Sequence, residues 1–315
     1  MANRYWVGGA GTWVHSSTMR WSETSGGSPG ASAPVSGDVA IFDTNSGTSD
    51  EVVTLDGTVE CSGLSMTSMR LTAAEPSRDI IRVFGGNITA RYFSFNGETH
   101  IEGSASVSSS MFGTTRIKSN STFGPTTGGL NLGNISLEYG AFDLAAFTTS
   151  CTSFTIVNNG SAKFLIMGAN SVLQPTTFTN NDPANFNPVL DDASLIFADT
   201  FTGGGESYKQ VRANIVYSAN TFTQLELGFH AQLQAGLTQT ITGTLVIPEG
   251  TSLMSTSTGS QATLSCSGTS TYRKLTVQDL VVSPLQYVVD GTNNGNNSGW
   301  SFVSGSNNLF FGSNF

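Results

Sequence analysis

Ile88-Thr-Ala-Arg-Tyr-Phe-Ser-Phe95 is strand-like along its length, yet it bends through single polar residues and holds no full turn. Runs of this kind bear on the choice between the two architectures that many short strands allow. A stack of hairpins, as sandwich or barrel, needs a tight reversal between strands. A parallel β-helix needs only a change of direction at each corner. Similar short runs, β-branched or aromatic, recur along the chain: Glu51–Leu55, Ile80–Phe84, Lys163–Met167, Ser194–Phe197, Val211–Tyr217, Thr221–Leu227, Thr240–Ile247 and Lys274–Val282. Gly, Asn, Asp or Ser bound each of them. The turn pairs Asp56-Gly57, Asn96-Gly97, Asn159-Gly160 and Asp290-Gly291 suit hairpins and keep an antiparallel β-sandwich array open as the alternative. The bent runs favour an all-β parallel β-helix or β-solenoid with capped ends. So does the dominance of Ser, Thr and Asn, whose side chains pair with neighbours on the rungs above and below.

Helical periodicity is nearly absent, and only Glu138–Phe147 is expected to coil for a turn or two. No fixed repeat period stands out. With about 20–25 residues per coil, residues 45–300 make on the order of ten to twelve coils. At about 4.8 Å per rung that is a rod of roughly 50 Å.

Composition narrows the function. Charged residues are 11% of the 315, against about 25% in an ordinary soluble domain, while hydrophobic residues reach 38%. Low charge with ample apolar content argues against disorder. The net charge of −9, with 13 unclustered Lys and Arg, argues against nucleic acid as a partner. No apolar run approaches 18 residues, which argues against a membrane-spanning helix. The start, Met-Ala-Asn-Arg-Tyr-Trp, has no apolar signal core. Cys61, Cys151 and Cys266 are odd in number and far apart, so they read as small buried residues rather than disulfides or metal ligands.

The two ends differ from the body. Three of the four tryptophans, Trp6, Trp13 and Trp21, fall at the N-terminus; Trp300 falls near the other end. Large aromatics can seal the open end of a stacked sheet, where unpaired backbone invites aggregation. The chain therefore divides into a tryptophan-rich cap and loop at 1–44, a β-helical body at 45–302 and a tail at 303–315. Loop 22–37, rich in Gly, Ser and Pro, is either an ordered connection or a flexible arm. Leu309, Phe310, Phe311 and Phe315 are too apolar for an idle tail and are expected to pack on a symmetry mate or another protein.

Arg4-Tyr-Trp-Val-Gly-Gly-Ala-Gly-Thr-Trp13, then Trp21-Ser22, the loop, and Val39-Ala-Ile-Phe-Asp-Thr-Asn-Ser46 resemble the N-terminal region of a set of bacteriophage virion proteins of the tail-fibre or appendage type. A similar opening begins β-helical passenger domains of bacterial adhesins. Asn293-Asn-Gly-Asn-Asn-Ser-Gly-Trp-Ser-Phe302 resembles the ending common in the same phage proteins. These motifs cover about 55 residues. The resemblance implies a virion component, homo-oligomeric and often trimeric, built in the host cytoplasm and released by lysis. It implies no catalytic residues and no cofactor. Long phage tailspikes carry a separate anchor domain, for which this chain leaves no room; attachment is then expected at the cap, the loop or the aromatic tail.

Chemistry-bearing motifs are weak. Asp50-Glu51 and Asp191-Asp192 are adjacent carboxylates, which in a strand point to opposite faces, so neither pair makes a glycosidase site alone. His15, His100 and His230 sit near no cysteine or second histidine, and no Gly-x-Ser-x-Gly elbow appears. Gly203-Gly-Gly-Glu-Ser-Tyr-Lys209 lacks the phosphate-loop pattern and reads as a wide turn, with Tyr208 and Lys209 exposed on it. The expected function is a tail or neck fibre that adheres to the host surface, with surface glycan as a partner. A capsid-bound head fibre or decoration protein is the alternative, and a polysaccharide depolymerase the enzymatic one.

Overall fold

The structure, a computed structural model, describes residues 2–16, 18–90, 95–108, 113–120 and 122–305. The bend expected in Ile88–Phe95 and the aromatic tail, Leu309, Phe310, Phe311 and Phe315, fall wholly or mainly outside these residues. The chain is all-β, and its secondary structure among the described residues is strand apart from one 3-10 turn, Pro183–Asn185. It forms two compact units, Met1–Ser194 and Leu195–Phe315. Nothing in the composition of residues 45–302 marks that division.

In the first unit, strands of successive coils lie side by side, parallel and in register. Val39–Phe42 pairs with Gly63–Met66, which pairs with Gly86–Ala90. A second face sets Val52–Leu55 against Arg70–Ala73. A third runs from Thr58–Cys61 through Ile80–Val83, Glu98–Ile101, Thr114–Ile117 and Asn134–Leu137 to Thr148–Ile156 and Val172–Asn180. Because each pairing links one coil to the next, the sheets wind as a β-solenoid and do not close into a barrel.

The alternation of side chains explains why these sequences make rungs. Val52–Leu55, Ile80–Val83 and Thr114–Ile117 bury every second residue. The inward positions stack into columns: Cys61, Val83, Ile101, Ile117, Leu137 and Ile156 face one another rung by rung, all buried. Phe142 lies 6.1 Å from Phe123 and 5.5 Å from Phe154, which stacks on Phe178 at 5.6 Å. This aromatic column overturns the helical turn expected at Glu138–Phe147. Gly140–Asp143 is instead a strand, because an extended backbone delivers Phe142 into the column.

Outward positions make the polar ladders. Ser153 Oγ donates to Asn134 Oδ1 at 2.9 Å across 19 residues, and Ser108 Oγ to Thr89 Oγ1 at 3.2 Å. A charged ladder runs beside them. Arg82 bridges Glu60 at 2.8 Å and Glu102 at 3.1 Å. Arg116 holds Glu98 with two nitrogens, at 2.9 and 2.8 Å, and reaches Glu138 at 3.0 Å. His100, between the two arginines in register, bonds Glu98 at 2.8 Å. The Arg116 hydrogen bonds pull the Glu98 carboxyl down to about 2. Burial lowers the His100 pKa, with Lys118 adding to the effect and Glu98 and Glu102 opposing it. Both groups bind a proton more readily once unfolded, so acid destabilises the fold. Stability is expected to fall as pH drops below about 6.5 through His100, and again from about 4.5 toward 2 through Glu98. Thermal melts across pH check this: His100→Gln should flatten the first limb and Glu98→Gln the second.

The second unit repeats the plan with uneven coils. Leu195–Thr202, Ser207–Tyr217 and Thr221–Leu233 are parallel neighbours, and Thr221–Leu233 pairs onward with both Thr238–Val246 and Ser252–Ser255. Asp199 and Asn214 face each other across only 15 residues, fewer than the coil length expected. Thr276–Gln278 and Leu280–Val289 split the single strand expected at Lys274–Val282, because Asp279 turns with φ +56°. Buried Asn220 lines a corner, its Nδ2 donating to Tyr217 O at 2.8 Å, while Gln239 Nε2 donates to Ser218 O at 2.5 Å. Tyr208 is buried, not exposed as expected. Its hydroxyl donates to Gly203 O at 2.7 Å and its ring meets Phe201 at 4.9 Å. Gly203–Gly205 turns the chain so tightly that Tyr208 already stands on the inward side of the next rung.

Candidate functional site

The N-terminal motif builds a plug. Asn3–Trp6 lies parallel to Val39–Phe42 on one side and antiparallel to Trp21–Ser22 on the other. Trp6, Trp13 and Trp21 are fully buried, and each ring stands 5.6–5.7 Å from Phe42. Trp21 touches Trp6 at 5.3 Å and Trp13 at 5.2 Å, both edge-on. The glycines of the motif serve this packing. Gly8 and Gly9 take φ of +91° and +70°, and the Trp6 indole N–H donates to Gly9 O at 2.8 Å. A side chain at Gly11 would press on the Trp6 ring and on Arg20, whose guanidinium donates to Gly8 O. Loop 22–37 is tied back: Gly30 N and Ala31 N donate to Trp21 O at 3.0 Å, and Asn45 Nδ2 reaches Ser25 Oγ at 2.8 Å. Between cap and loop is a cleft of about 490 Å³ whose rim carries Met19, 79% exposed, and Arg20.

Trp300 belongs to the second unit. It lies on Ser298–Val303, opposite Gln286, with Tyr272 6.4 Å away. It is half-buried, and its indole N–H has no acceptor among the described residues.

The second unit also carries a groove that the sequence reading did not assemble. Leu225 and Leu227 point inward, and so do Ala231 and Leu233. Between them, Gly228, Phe229 and His230 break the alternation. Ala213 faces Leu227 but Ile215 faces Gln232, so the strand bulges outward opposite Asn214. Phe229, 60% exposed, and His230 are pushed onto the outer surface. Any β-carbon on Gly228 would collide with the Asn214 side-chain oxygen. Asn214 Nδ2 in turn donates to Asp199 Oδ1 at 3.0 Å. The result is a groove of about 340 Å³ lined by Asp199, Thr200, Asn214, Phe229, His230 and Gln232. Beside it, Arg212 lies over the Phe197 ring at 4.8 Å and pairs with Glu226 at 3.3 Å. The sequence signal was Leu225-Glu-Leu-Gly-Phe-His-Ala-Gln-Leu233, where two outward residues stand in succession and the apolar period slips.

The remaining candidates stay dispersed. Asp191 is a turn carboxylate, its Oδ1 accepting from Ala193 N at 2.9 Å. His15 is exposed and His100 belongs to the charged ladder. No group of His, Cys, Asp or Glu among the described residues has metal-holding geometry. None of their helices is long and apolar enough to cross a membrane. Burial pushes the Cys61 and Cys151 thiols up to about 12 and Cys266 to about 11. The thiolate is the reactive form, so a maleimide is expected to leave Cys61 and Cys151 untouched in the native protein and label all three after denaturation. Mass spectrometry of the labelled peptides reads this directly. The chain matches no protein-family model, no curated protein and no solved structure.

Proposed function

We propose that this chain is a structural and adhesive appendage of a bacteriophage virion, a tail or neck fibre whose lateral face meets the host surface. The observation that carries the reading is the groove around Phe229. It is an aromatic and hydrogen-bonding surface raised on the side of a solenoid whose ladders at Arg82, Arg116 and Ser153 are paired internally. The tryptophan plug supports it as well. A solenoid that projects alone must protect its terminal edge from pairing with other chains, and Trp21–Ser22 occupies that edge of Asn3–Trp6. The carboxylates at the groove hold neighbours, Asp199 to Asn214 and Glu226 to Arg212, an arrangement that favours grip over cleavage.

Peptide mass spectrometry of gradient-purified virus particles tests the assignment. The chain is expected in the particles at a fixed ratio to the major structural proteins, and the free protein is expected to compete with the virus for adsorption to host cells. Its confinement to the soluble fraction of infected cells, with no effect on adsorption, would overturn the reading.

A further inference from the structure

We propose that the groove between Phe229 and Asp199 binds a neutral pyranose residue of a surface glycan. This deepens the surface-contact reading and rests on it for the source of the sugar.

Three observations converge. The first is Phe229 itself, a large apolar ring left 60% exposed where the chain departs from its own alternation to present it. An exposed flat aromatic face matches the C–H face of a pyranose ring. The second is the set of polar groups beside it. Asp199 and Asn214 are locked together at 3.0 Å, which fixes a carboxylate and an amide in one geometry. The side chains of Thr200, His230 and Gln232 make no hydrogen bond among the described residues, so each has donors or acceptors to offer. Sugar hydroxyls both donate and accept, and such a mixed rim answers them. The third is size. About 340 Å³ stands at the low end of the roughly 300–1,000 Å³ of small-molecule clefts, room for one or two sugar rings.

Charge sets the class. Asp199 presents a carboxylate to the groove, and the adjacent cation, Arg212, is held by Glu226 and by the Phe197 ring. A uronic or sialic acid would meet Asp199 without a counter-charge. A neutral or N-acetylated hexose meets only hydrogen-bond partners and the phenyl face.

The test is a glycan array probed with the full chain, covering neutral, N-acetylated, amino and acidic saccharides, followed by calorimetric titration of the best binder. Binding to neutral or N-acetylated pyranosides is expected, weakened at least tenfold by Phe229→Ala and by Asp199→Ala and retained by Phe229→Trp. Circular dichroism melts of the variants show whether each one is folded. Indifference to both alanine variants, preference for acidic glycans, or no glycan binding by the folded protein would overturn the proposal. The virion assignment fails separately: a chain present in particles but blind to glycans sinks the groove alone, and a sugar-binding chain absent from particles sinks the assignment alone.

Discussion

Replacing Trp21 by alanine is expected to destabilise the first unit by about 3–5 kcal/mol. Trp21 is fully buried and, like Phe42, touches all three other rings of the plug; its own contacts with Trp6, Trp13 and Phe42 are at 5.2–5.6 Å. Alanine leaves a cavity bounded by rigid indoles, which have little freedom to collapse into it. The same change loosens the two-residue strand that covers Asn3–Trp6, exposing an unpaired edge. Two readouts should therefore move together: a lower urea midpoint by circular dichroism, and concentration-dependent association by light scattering. Trp21→Phe separates the causes. The Trp21 indole N–H is buried with no acceptor among the described residues, so phenylalanine removes an unsatisfied donor while keeping much of the ring. It is expected to cost under about 2 kcal/mol, set by the smaller volume lost. A Trp21→Ala protein as stable and monodisperse as its parent would show that the plug does not hold the end of the stack.

Much of the solenoid was legible because its rule is local. Lys163–Met167 was readable to the residue, and Asp38-Val-Ala-Ile-Phe-Asp43 announces the strand Val39–Phe42, because alternation and flanking Asp need no knowledge of a partner. What failed depends on the neighbouring coil. Phe142 is in a strand because Phe123 and Phe154 flank it in the core. Tyr208 is inside because the turn before it is tight enough to bring it over Phe201. The groove needs residues from three rungs, Asp199, Asn214 and Phe229, 15 residues apart at each step, a spacing that the longer coils of the first unit do not share. Uneven coils are the physical reason: 22 residues separate Glu60 from its partner Arg82, and 15 separate Asp199 from Asn214. A reader of the sequence can find rungs, but cannot assign which side chains become neighbours across them.

Lys163 shows the same limit at the largest energetic scale, and its partner gives the second strong prediction. By alternation it is the first inward residue of Lys163–Met167, with Leu165 and Met167, and it is fully buried. Its ammonium donates to Asp182 Oδ2 at 2.8 Å and to Ser161 O at 2.5 Å. Asp182 lies 19 residues on, one coil away, and also accepts from Asn185 Nδ2 at 2.9 Å and Gly160 N at 3.3 Å. Asp182→Ala strands a buried ammonium with a backbone carbonyl, and the cost expected is about 3–5 kcal/mol. Removing the charge as well should recover most of it: Lys163→Met with Asp182→Ala puts an apolar side chain in an apolar position, which is often neutral or stabilising. Hence the double variant should be more stable than Asp182→Ala alone, a sign that no additive pair of losses can produce. Acid gives an independent reading. The Lys163 and Asn185 hydrogen bonds hold the Asp182 carboxyl below its usual range. Its contribution is therefore complete above the unfolded carboxylate pKa of about 3.9 and is lost as pH falls through the lower folded value. Urea melts of the parent protein and the two variants at neutral and acid pH decide the matter. If Asp182→Ala costs under about 1 kcal/mol, or the double variant is the least stable, the Lys163 ammonium is not the buried, carboxylate-dependent charge described here.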